Sequence, residues 1–363
     1  MNHSGKVGIM VAMKPTTAAS RLLALDYLRG FFIVVIIVDH LWRWPNLFQF
    51  VSGRGELWAS AAEGFVIISG LLIGYIRGYK NRNLPLIDVS KKLVKRGLLL
   101  YLWMLITTLA IVAASWAFTY QGGLANIPYN NADWSSLVIG VLRLDFVHSL
   151  THFLYLYAIF LVISPLVVWL LRRSLAWVVA IGAIGVWWLG IVTNTEWMQW
   201  QILFFVPAIA GFYLEPLRST YNHFSSRTKN MLTYGSIIVT LVTIIISGVI
   251  VFQFSPGAYT QTLFTREPVT LARVGISFLW FIGLFSLFQT CERPIGRFLG
   301  WLLLPFGTKS LTAYIVHPIP LMLCSFFLGA NDNFWFNTLL ASGCILGVWA
   351  IIKIPHINRV IPR

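Results

Sequence analysis

The sequence predicts an all-α, polytopic membrane protein with about ten transmembrane helices and with its N- and C-termini in the cytoplasm. Of its 363 residues, 58% are hydrophobic and only 11% are charged, whereas globular chains are about 45–50% apolar and about 25% charged. Long stretches without any ionisable residue recur along the chain. The 27 basic residues outnumber the 12 acidic ones, but so apolar a chain lacks the soluble scaffold of a nucleic-acid-binding face. We therefore expect the lipid bilayer, and no nucleic acid, as a partner.

The predicted membrane spans follow from the lengths of these stretches, because a helix needs about 20 apolar residues to cross a ~30 Å hydrocarbon core. Segment 24–48 and segment 57–76 come first and contain a few ionisable residues. Seven further segments contain none: 97–118, 153–171, 174–193, 197–214, 231–253, 274–290 and 333–352. Segment 310–329 completes the set of ten, with one histidine as its interruption.

The distribution of Lys and Arg predicts the orientation of these helices. The loops on the side of the N-terminus hold 22 of these residues and the loops on the opposite side hold 5. Cytoplasmic loops carry the excess of basic residues, so both termini are expected in the cytoplasm, at a bacterial cytoplasmic (inner) membrane. Residues 1–20 are polar and predict a flexible segment without a cleavable signal peptide. Residues 21–355 predict a single transmembrane domain, and residues 356–363 a short cytoplasmic tail.

Ionisable residues inside the first two predicted spans are the main candidates for function, because each one is costly within a bilayer. Arg29 and His40 are 11 residues apart, which places them on one helical face and roughly 16 Å apart along the axis. Glu63 in an antiparallel neighbour would reach the depth of His40, beside Asp39. A histidine next to a carboxylate is a suitable general base. The alternative is that Arg29 extends to the interface and that His40 only bonds another helix.

Three basic residues, Lys92, Lys95 and Arg96, share one face at the start of the third predicted span. Their plain explanation is a topology signal, but the same geometry suits a nucleotide phosphate. The sequence contains no glycine-rich phosphate loop, so ATP hydrolysis and NAD-dependent redox chemistry have no support.

The remaining candidates are histidines and cysteines. His317 precedes Pro318 within segment 310–329, so it either shares a cavity with His40 or caps a carbonyl that the proline frees. His148 and His152 are four residues apart, a spacing that can bind a metal but lacks an evident third ligand. The three cysteines show neither a disulfide framework nor a metal-binding spacing. We therefore predict no metal site.

Several of these residues stand in motifs that resemble the acyltransferase-3 family of membrane proteins. Arg29 and His40 match its Arg-x10-His signature. Residues 62–70 resemble its acidic residue placed six positions before a Ser-Gly pair, here Glu63 and Ser69. Residues 308–318 are similar to its late Ser-Tyr … Tyr-Leu-x-His-x-Pro segment.

Within that superfamily, the sequence is most similar to the OpgC branch, which succinylates periplasmic glucans. The similar stretches cover most of residues 21–325, and the first two helices carry the most specific matches. They are 25–30 with the later pair 39–40, 60–63, 154–157 with 164–166, and 200–204.

The resemblance implies an acyl-CoA-dependent O-acyltransferase without a permanently bound cofactor. The donor, succinyl-CoA or acetyl-CoA, would bind from the cytoplasm, and the acceptor would be a hydroxyl of an extracytoplasmic glucan or surface polysaccharide. Its catalytic residues would be His40 as the general base, Glu63, Asp39 and Arg29. The acyl group would pass either directly or through an acyl-enzyme intermediate.

The resemblance also assigns binding residues. Arg29 would meet the donor, with Lys92, Lys95 and Arg96 as further donor contacts, although lysines replace the Arg-x-x-Arg that is common in the wider family. The candidate substrate contacts are His317, Ser69 and His152.

Two other classes of protein remain as alternatives. A transporter or flippase for a small polar or glycan substrate would use the intramembrane charges as a pathway, but transporters often have inverted repeats with broken helices in matching positions. Here the ionisable residues concentrate in the first third of the chain, which favours an enzyme. A non-catalytic glycan-binding membrane protein would keep the cavity and dispense with the base.

Overall fold

The computed structural model describes residues 23–118, 133–253, 262–357 and 361, which form helices joined by short loops. No strand occurs in these described ranges. The helices are α1 Leu23–Leu41, α2 Gln49–Ser52, α3 Ala61–Leu72, α4 Leu86–Ala117, α5 Trp134–Arg143, α6 His152–Arg172, α7 Ala176–Val192, α8 Glu196–Trp200, α9 Ile202–Phe212, α10 Leu214–His223, α11 Ser226–Gln253, α12 Leu271–Thr290, α13 Glu292–Phe298, α14 Gly300–Thr308, α15 Ser310–Val316, α16 Pro318–Phe327 and α17 Phe334–Lys353. A π-helix, Ile73–Lys80, continues α3.

Each of the ten predicted spans coincides with helical structure, but they differ in how well they qualify as spans. Seven helices of the described chain are long and apolar enough to cross a membrane, and a bent pair, Glu196–Phe212 with Leu214–His223, raises the number to eight. The first helix, α1, contains Asp26, Arg29 and Asp39 within its 19 residues, and α7 has only 17 residues. The protein is thus an integral, multi-pass membrane protein with at least seven span-like helices. The predicted flexible segment 1–20 lies outside the described residues.

A stripe of glycines on α3 and its π-helical continuation lets α9 approach closely. A Cβ added to Gly70, Gly74 or Gly78 would lie 1.9 Å, 1.9 Å and 2.8 Å from atoms of Phe204, Ala208 and Phe212, respectively. Small residues four apart commonly allow membrane helices to pack backbone against backbone. Residue numbers increase in the same direction along this contact on both helices, so α3 and α9 run parallel. This agrees with the predicted order of spans, in which α3 belongs to the second span and α9 to the sixth.

A second close contact places α14 against the first half of α1. Gly30 faces the carbonyl oxygen of Leu303, and Gly307 faces that of Asp26, so that an added Cβ would lie 2.0 Å and 1.8 Å from them. The paired numbers change in opposite directions, so α1 and α14 are antiparallel at this contact. The helix α14 was not predicted from the sequence as a separate element.

After α14 the chain turns at Lys309, and α15 and α16 run alongside the rest of α1. Contacts from this segment to α1 lie at Ser310, which meets Arg29, and at His317, which meets His40. Both partners advance along the chain together, so this stretch is parallel to α1. The hairpin formed by α14 with α15 and α16 therefore packs along α1 and contacts both Arg29 and His40.

Candidate active site

The two intramembrane histidines lie in direct contact. Nδ1 of His40 is 2.8 Å from Nε2 of His317, and their rings are stacked with centroids 5.0 Å apart. His317 is fully buried, whereas His40 is only partly buried. The structure therefore confirms the proximity of His317 to His40 that the sequence left as one of two interpretations.

The other interpretation, that His317 caps a carbonyl freed by Pro318, is also correct. The two interpretations are compatible. Proline has no backbone N–H, so Pro318 cannot donate the helical hydrogen bond to the carbonyl of Tyr314, four residues earlier. The freed Tyr314 carbonyl instead hydrogen-bonds with Nδ1 of His317. This bond holds the imidazole in one orientation.

The hydrogen bonds of this chain determine which nitrogens carry protons when both histidines are neutral. A carbonyl oxygen only accepts, so His317 has its proton on Nδ1 and presents Nε2 as an acceptor. His40 must then donate from Nδ1, and its own Nε2 holds a lone pair. The arrangement leaves Nε2 of His40 as the basic atom of the pair.

Tyr314 supports both rings. Its centroid lies 4.8 Å from that of His317 and 6.3 Å from that of His40. Its hydroxyl oxygen accepts a hydrogen bond from the backbone N–H of Phe153 at 3.3 Å, and its ring is buried. The tyrosine thereby links α15 to α6 and packs against both histidine rings.

Arg29 lies on α1, 11 residues before His40. As predicted, the two residues are on the same face of the helix. Its Nη2 donates to the hydroxyl of Ser310 at 2.7 Å, and its guanidinium lies 5.6 Å from the centre of the Phe65 ring. Both partners belong to the helices that pack around α1. These contacts hold the Arg29 side chain between α3 and α15.

Glu63 does not form the pair with His40 that the sequence predicts. Its Oε1 accepts from Nε of Arg273 at 2.6 Å, and the two side chains are 1% and 4% exposed. Its Oε2 accepts from the backbone N–H of Ser60 at 2.8 Å and from the Ser60 hydroxyl, completing a capping box at the start of α3. From the sequence, Arg273 was counted only among the five basic residues on the side opposite the N-terminus, and its contact with Glu63 was not predicted.

Two other candidates, Asp39 and Ser69, have different local partners. Asp39 hydrogen-bonds with Ser52, and one of its carboxyl oxygens is buried without a hydrogen bond in the described chain. Ser69 is buried and donates to the carbonyl of Phe65 within its own helix at 2.9 Å.

His152 is partly exposed and its Nε2 lies 2.7 Å from a carboxylate oxygen of Glu196. The neighbouring His148 caps the short turn before α6, where its Nδ1 accepts from the N–H of Leu150 at 3.2 Å. The two histidines thus bind different partners. Among the residues that the structure describes, no group of three or more His, Cys, Asp or Glu side chains is placed to hold a metal ion.

The basic residues at the start of α4 lie together on its surface. Lys92 and Lys95 are exposed, whereas Arg96 is half-buried and lies near enough to Arg77 for their charges to interact. Arg172 holds the preceding loop by donating to the backbone carbonyls of Arg77, Asn81 and Leu84 at 2.6–2.9 Å. Arg77 was not among the residues predicted from the sequence, because its position depends on the π-helix.

The fold and the site define a multi-pass integral membrane protein with a histidine pair inside its helix bundle. A family model described as OpgC protein matches residues 21–357, which is nearly the whole chain. The chain belongs to the OpgC family, and the resemblance read from its sequence is confirmed. Membership indicates a glucan-modifying, acyltransferase-like function. Comparisons with curated proteins and with solved structures found no match.

Proposed function

We propose that the protein transfers a succinyl or acetyl group from cytoplasmic acyl-CoA to a hydroxyl of an extracytoplasmic glucan or polysaccharide. The observation that carries this proposal is the hydrogen-bonded series from His40 through His317 to the Tyr314 carbonyl. In this series Nε2 of the partly buried His40 is unprotonated, and Nε2 of His317 accepts the hydrogen bond from Nδ1 of His40. Such an arrangement suits general-base catalysis.

In the direct version of the reaction, Nε2 of His40 takes the proton of the acceptor hydroxyl as the oxygen attacks the thioester carbonyl carbon. The C–S bond then breaks, and the imidazolium returns the proton to the thiolate, giving the ester and free CoA. While His40 is charged, its Nδ1–H donates to His317, and the Tyr314 carbonyl orients that ring. His317 thus acts as a positioning residue, because both of its nitrogens already have protein partners.

The proposed binding site for the acyl-CoA donor consists of basic residues. Arg29 lies within the bundle, and Lys92, Lys95 and Arg96 lie on one face at the start of α4. Guanidinium and ammonium groups form strong, charge-assisted hydrogen bonds with phosphate. Replacing Lys92 and Lys95 together by Gln should raise the KM for acyl-CoA more than the KM for the acceptor. A correctly inserted double variant with an unchanged KM for acyl-CoA would leave only the topology signal as their role.

The proposed binding site for the glycan acceptor is centred on the His152–Glu196 pair. Both side chains are partly exposed, and paired polar groups of this kind can exchange hydrogen bonds with sugar hydroxyls. Ser69 is less available, because its hydroxyl already bonds within α3. Asp39 and Glu63 contact Ser52 and Arg273 rather than the histidine pair, so neither takes part in the proposed proton transfer.

The proposed orientation, with the donor side cytoplasmic, has a direct test. In a variant whose cysteines at 291, 324 and 344 are replaced by Ala, single cysteines at Lys80 and Asn222 should react only with a cytoplasmic label. A cysteine at Glu267 should react only from outside. Labelling of position 80 from outside would overturn the orientation and the proposed donor side with it.

The activity itself is tested with purified protein in nanodiscs, labelled succinyl-CoA or acetyl-CoA, and candidate glucans. We expect label in the glucan with wild-type protein and with His223→Ala, a control at an exposed histidine, but not with His40→Ala. Acyl transfer by a folded His40→Ala protein at the wild-type rate would overturn the role of His40. Glycan flux across proteoliposomes without acylation would instead favour a transporter.

A further inference from the structure

A cavity of about 260 Å³ lies between α1, α3, α11 and α12. Phe50 and Val51 of α2 line it and are exposed, so the cavity reaches the surface beside α2, on the predicted outer side. Close-packed protein interiors contain few voids larger than a water molecule, and an apolar cavity of ~150 Å³ already binds benzene. This cavity is therefore large enough to hold a segment of hydrocarbon.

The cavity is elongated along the helices. Its lining residues on α1 fall within 31–35, and those on α12 fall within 277–284. At 1.5 Å per residue, the series on α12 covers ~10 Å of depth. Because α2 follows the outer end of α1, the cavity is a slot that runs inward from the surface, parallel to the spans. A lipid acyl chain has this direction in a bilayer.

Four polar side chains line the slot, and each already has a partner within the protein. The Ser277 hydroxyl donates to the carbonyl of Arg273 at 2.7 Å. Glu63 binds Arg273 and Ser60. The Ser52 hydroxyl accepts from the backbone N–H two residues later at 3.1 Å. The other lining residues are aliphatic or aromatic, apart from one glycine. A hydrocarbon fits such a slot, whereas a sugar would lose its hydrogen bonds with water there.

A cation, Arg54, stands at the outer mouth of the slot. Its guanidinium carbon lies 5.3 Å from the centre of the Phe252 ring, which packs against Phe50 with centroids 5.9 Å apart. Its Nε and Nη2 donate to the neutral amide oxygen of Gln49 at 3.0 Å and 2.8 Å. Within the described part of the chain, Arg54 forms no ion pair with a carboxylate. A guanidinium held in this way is suited to bind a phosphate.

We propose that the slot binds one acyl chain of a membrane phospholipid and that Arg54 binds the phosphate of the same lipid. The chain lies between α1 and the two helices α11 and α12, and the phosphate lies at the outer surface, at the level of the lipid headgroups. Since α11 packs mainly against α12, a lipid in this place also joins these two helices to the rest of the bundle. The site goes beyond the proposed acyl transfer and does not depend on it.

The first test locates the acyl chain. The full-length protein in detergent is mixed with a limiting amount of phosphatidylglycerol that carries a photoreactive diazirine in its acyl chain, and mass spectrometry maps the label. We expect label within 31–35 and 277–284. Leu284→Trp fills the inner end of the slot, and overpacking of this size should lower the label about tenfold or more. Ile282→Trp adds the same bulk on the exposed face of α12 and should leave the label unchanged.

The second test concerns the phosphate. Arg54→Gln should weaken binding of the same probe about tenfold, the factor that corresponds to one charge-assisted hydrogen bond. Arg143→Gln removes an exposed arginine on the same predicted side and should match wild type. A diacylglycerol probe, which lacks the phosphate, should bind wild-type protein more weakly and should not respond to Arg54→Gln.

Three results would overturn the inference. Label spread evenly over the exposed faces of α7 and α11 in wild-type protein would mean that the slot takes no chain, and unchanged label in folded Leu284→Trp would mean the same. Equal binding of the phospholipid and diacylglycerol probes would exclude recognition of the phosphate. Protection of the slot by a long-chain isoprenyl phosphate but not by phospholipid would assign it to a different lipid. None of these measurements requires an acyl donor, so they do not depend on the proposed function.

Discussion

Two pairs of ionisable residues, Glu63–Arg273 and His40–His317, lie in the same helix bundle but have different surroundings. In the first pair, the Glu63 carboxylate bonds both Arg273 and Ser60, and Arg273 also binds the Phe264 carbonyl. In the second pair, the hydrogen bonds run from Nδ1 of His40 through His317 to the Tyr314 carbonyl, and Nε2 of the partly buried His40 has no hydrogen bond within the described chain. In the first pair every polar side-chain atom has a partner except Nη2 of Arg273, which is buried without a hydrogen bond in the described chain, whereas the second pair has an open end at Nε2 of His40.

Because of this difference, we expect the ion pair to contribute to stability and the histidine pair to catalysis. Burying charge is costly unless hydrogen bonds and an opposite charge compensate it, and the Glu63–Arg273 pair supplies both while it ties α3 to α12. A neutral histidine pair costs less to bury and retains a basic nitrogen. We therefore expect changes in the ion pair to alter mainly the free energy of unfolding, and changes in the histidine pair to alter mainly the rate.

The largest expected effect is on activity at the open end of the histidine pair. His40→Ala removes the proton acceptor and should lower kcat by about 10²–10⁴-fold, with little change in thermal stability. Steady-state kinetics and a melting curve of the same preparation check both parts. A large loss of stability with a small loss of kcat would reverse the assigned roles of the two pairs.

The ion pair should show the opposite pattern. Glu63→Ala leaves Arg273 buried without its counter-charge, and breaking a buried pair in this way typically costs about 3–5 kcal/mol. We expect a lower free energy of unfolding, partly restored in the double variant Glu63→Gln, Arg273→Met. The exposed Glu267→Gln serves as the control. Per folded molecule, kcat should stay close to wild type. A folded Glu63→Gln protein that is as inactive as His40→Ala would show that Glu63 acts on the chemistry.

A smaller effect on rate is expected at the inner member of the histidine pair. His317→Gln cannot fix the tautomer of His40, so kcat should fall by about 10- to 100-fold, less than on loss of the base itself. The KM for donor and acceptor should not change, because His317 is fully buried. A rise in either KM with kcat unchanged would make His317 a substrate contact, as the sequence analysis expected.

The smallest expected effect concerns pH and a third buried histidine, His148, which precedes the span Ser149–Arg172. Burial lowers the pKa of His148 to about 4, from an ordinary value near 6.5. Between these values the unfolded chain binds a proton that the folded chain does not, so stability is lost as pH falls from about 6.5 toward 4. His148→Asn keeps a cap for Leu150 and should flatten this dependence in denaturation curves. Equal slopes in both proteins would exclude His148 as their source.

The helical content follows from the sequence alone, because the length of an apolar run directly reflects the thickness of a bilayer. All ten predicted segments coincide with helical structure, but only seven helices of the described chain, or eight with the bent pair, are long and apolar enough to cross a membrane. The shared face of Arg29 and His40 was likewise predictable from the period of an α-helix. The role of Pro318 was predictable too, because the missing N–H acts only four residues away. The family motifs added the acyltransferase class, which the match to residues 21–357 supports.

Only the tertiary structure decided which ionisable groups meet. Glu63 binds Arg273, 210 residues away, and His40 binds His317, 277 residues away. Helical periodicity shows the face of a residue but not the neighbouring helix, so the sequence paired the two nearest candidates, His40 and Glu63. Close packing at Gly30 and Gly307 instead brings α14 and its continuation beside α1. That contact supplies His40 with a neutral partner and leaves Glu63 to stabilise the bundle.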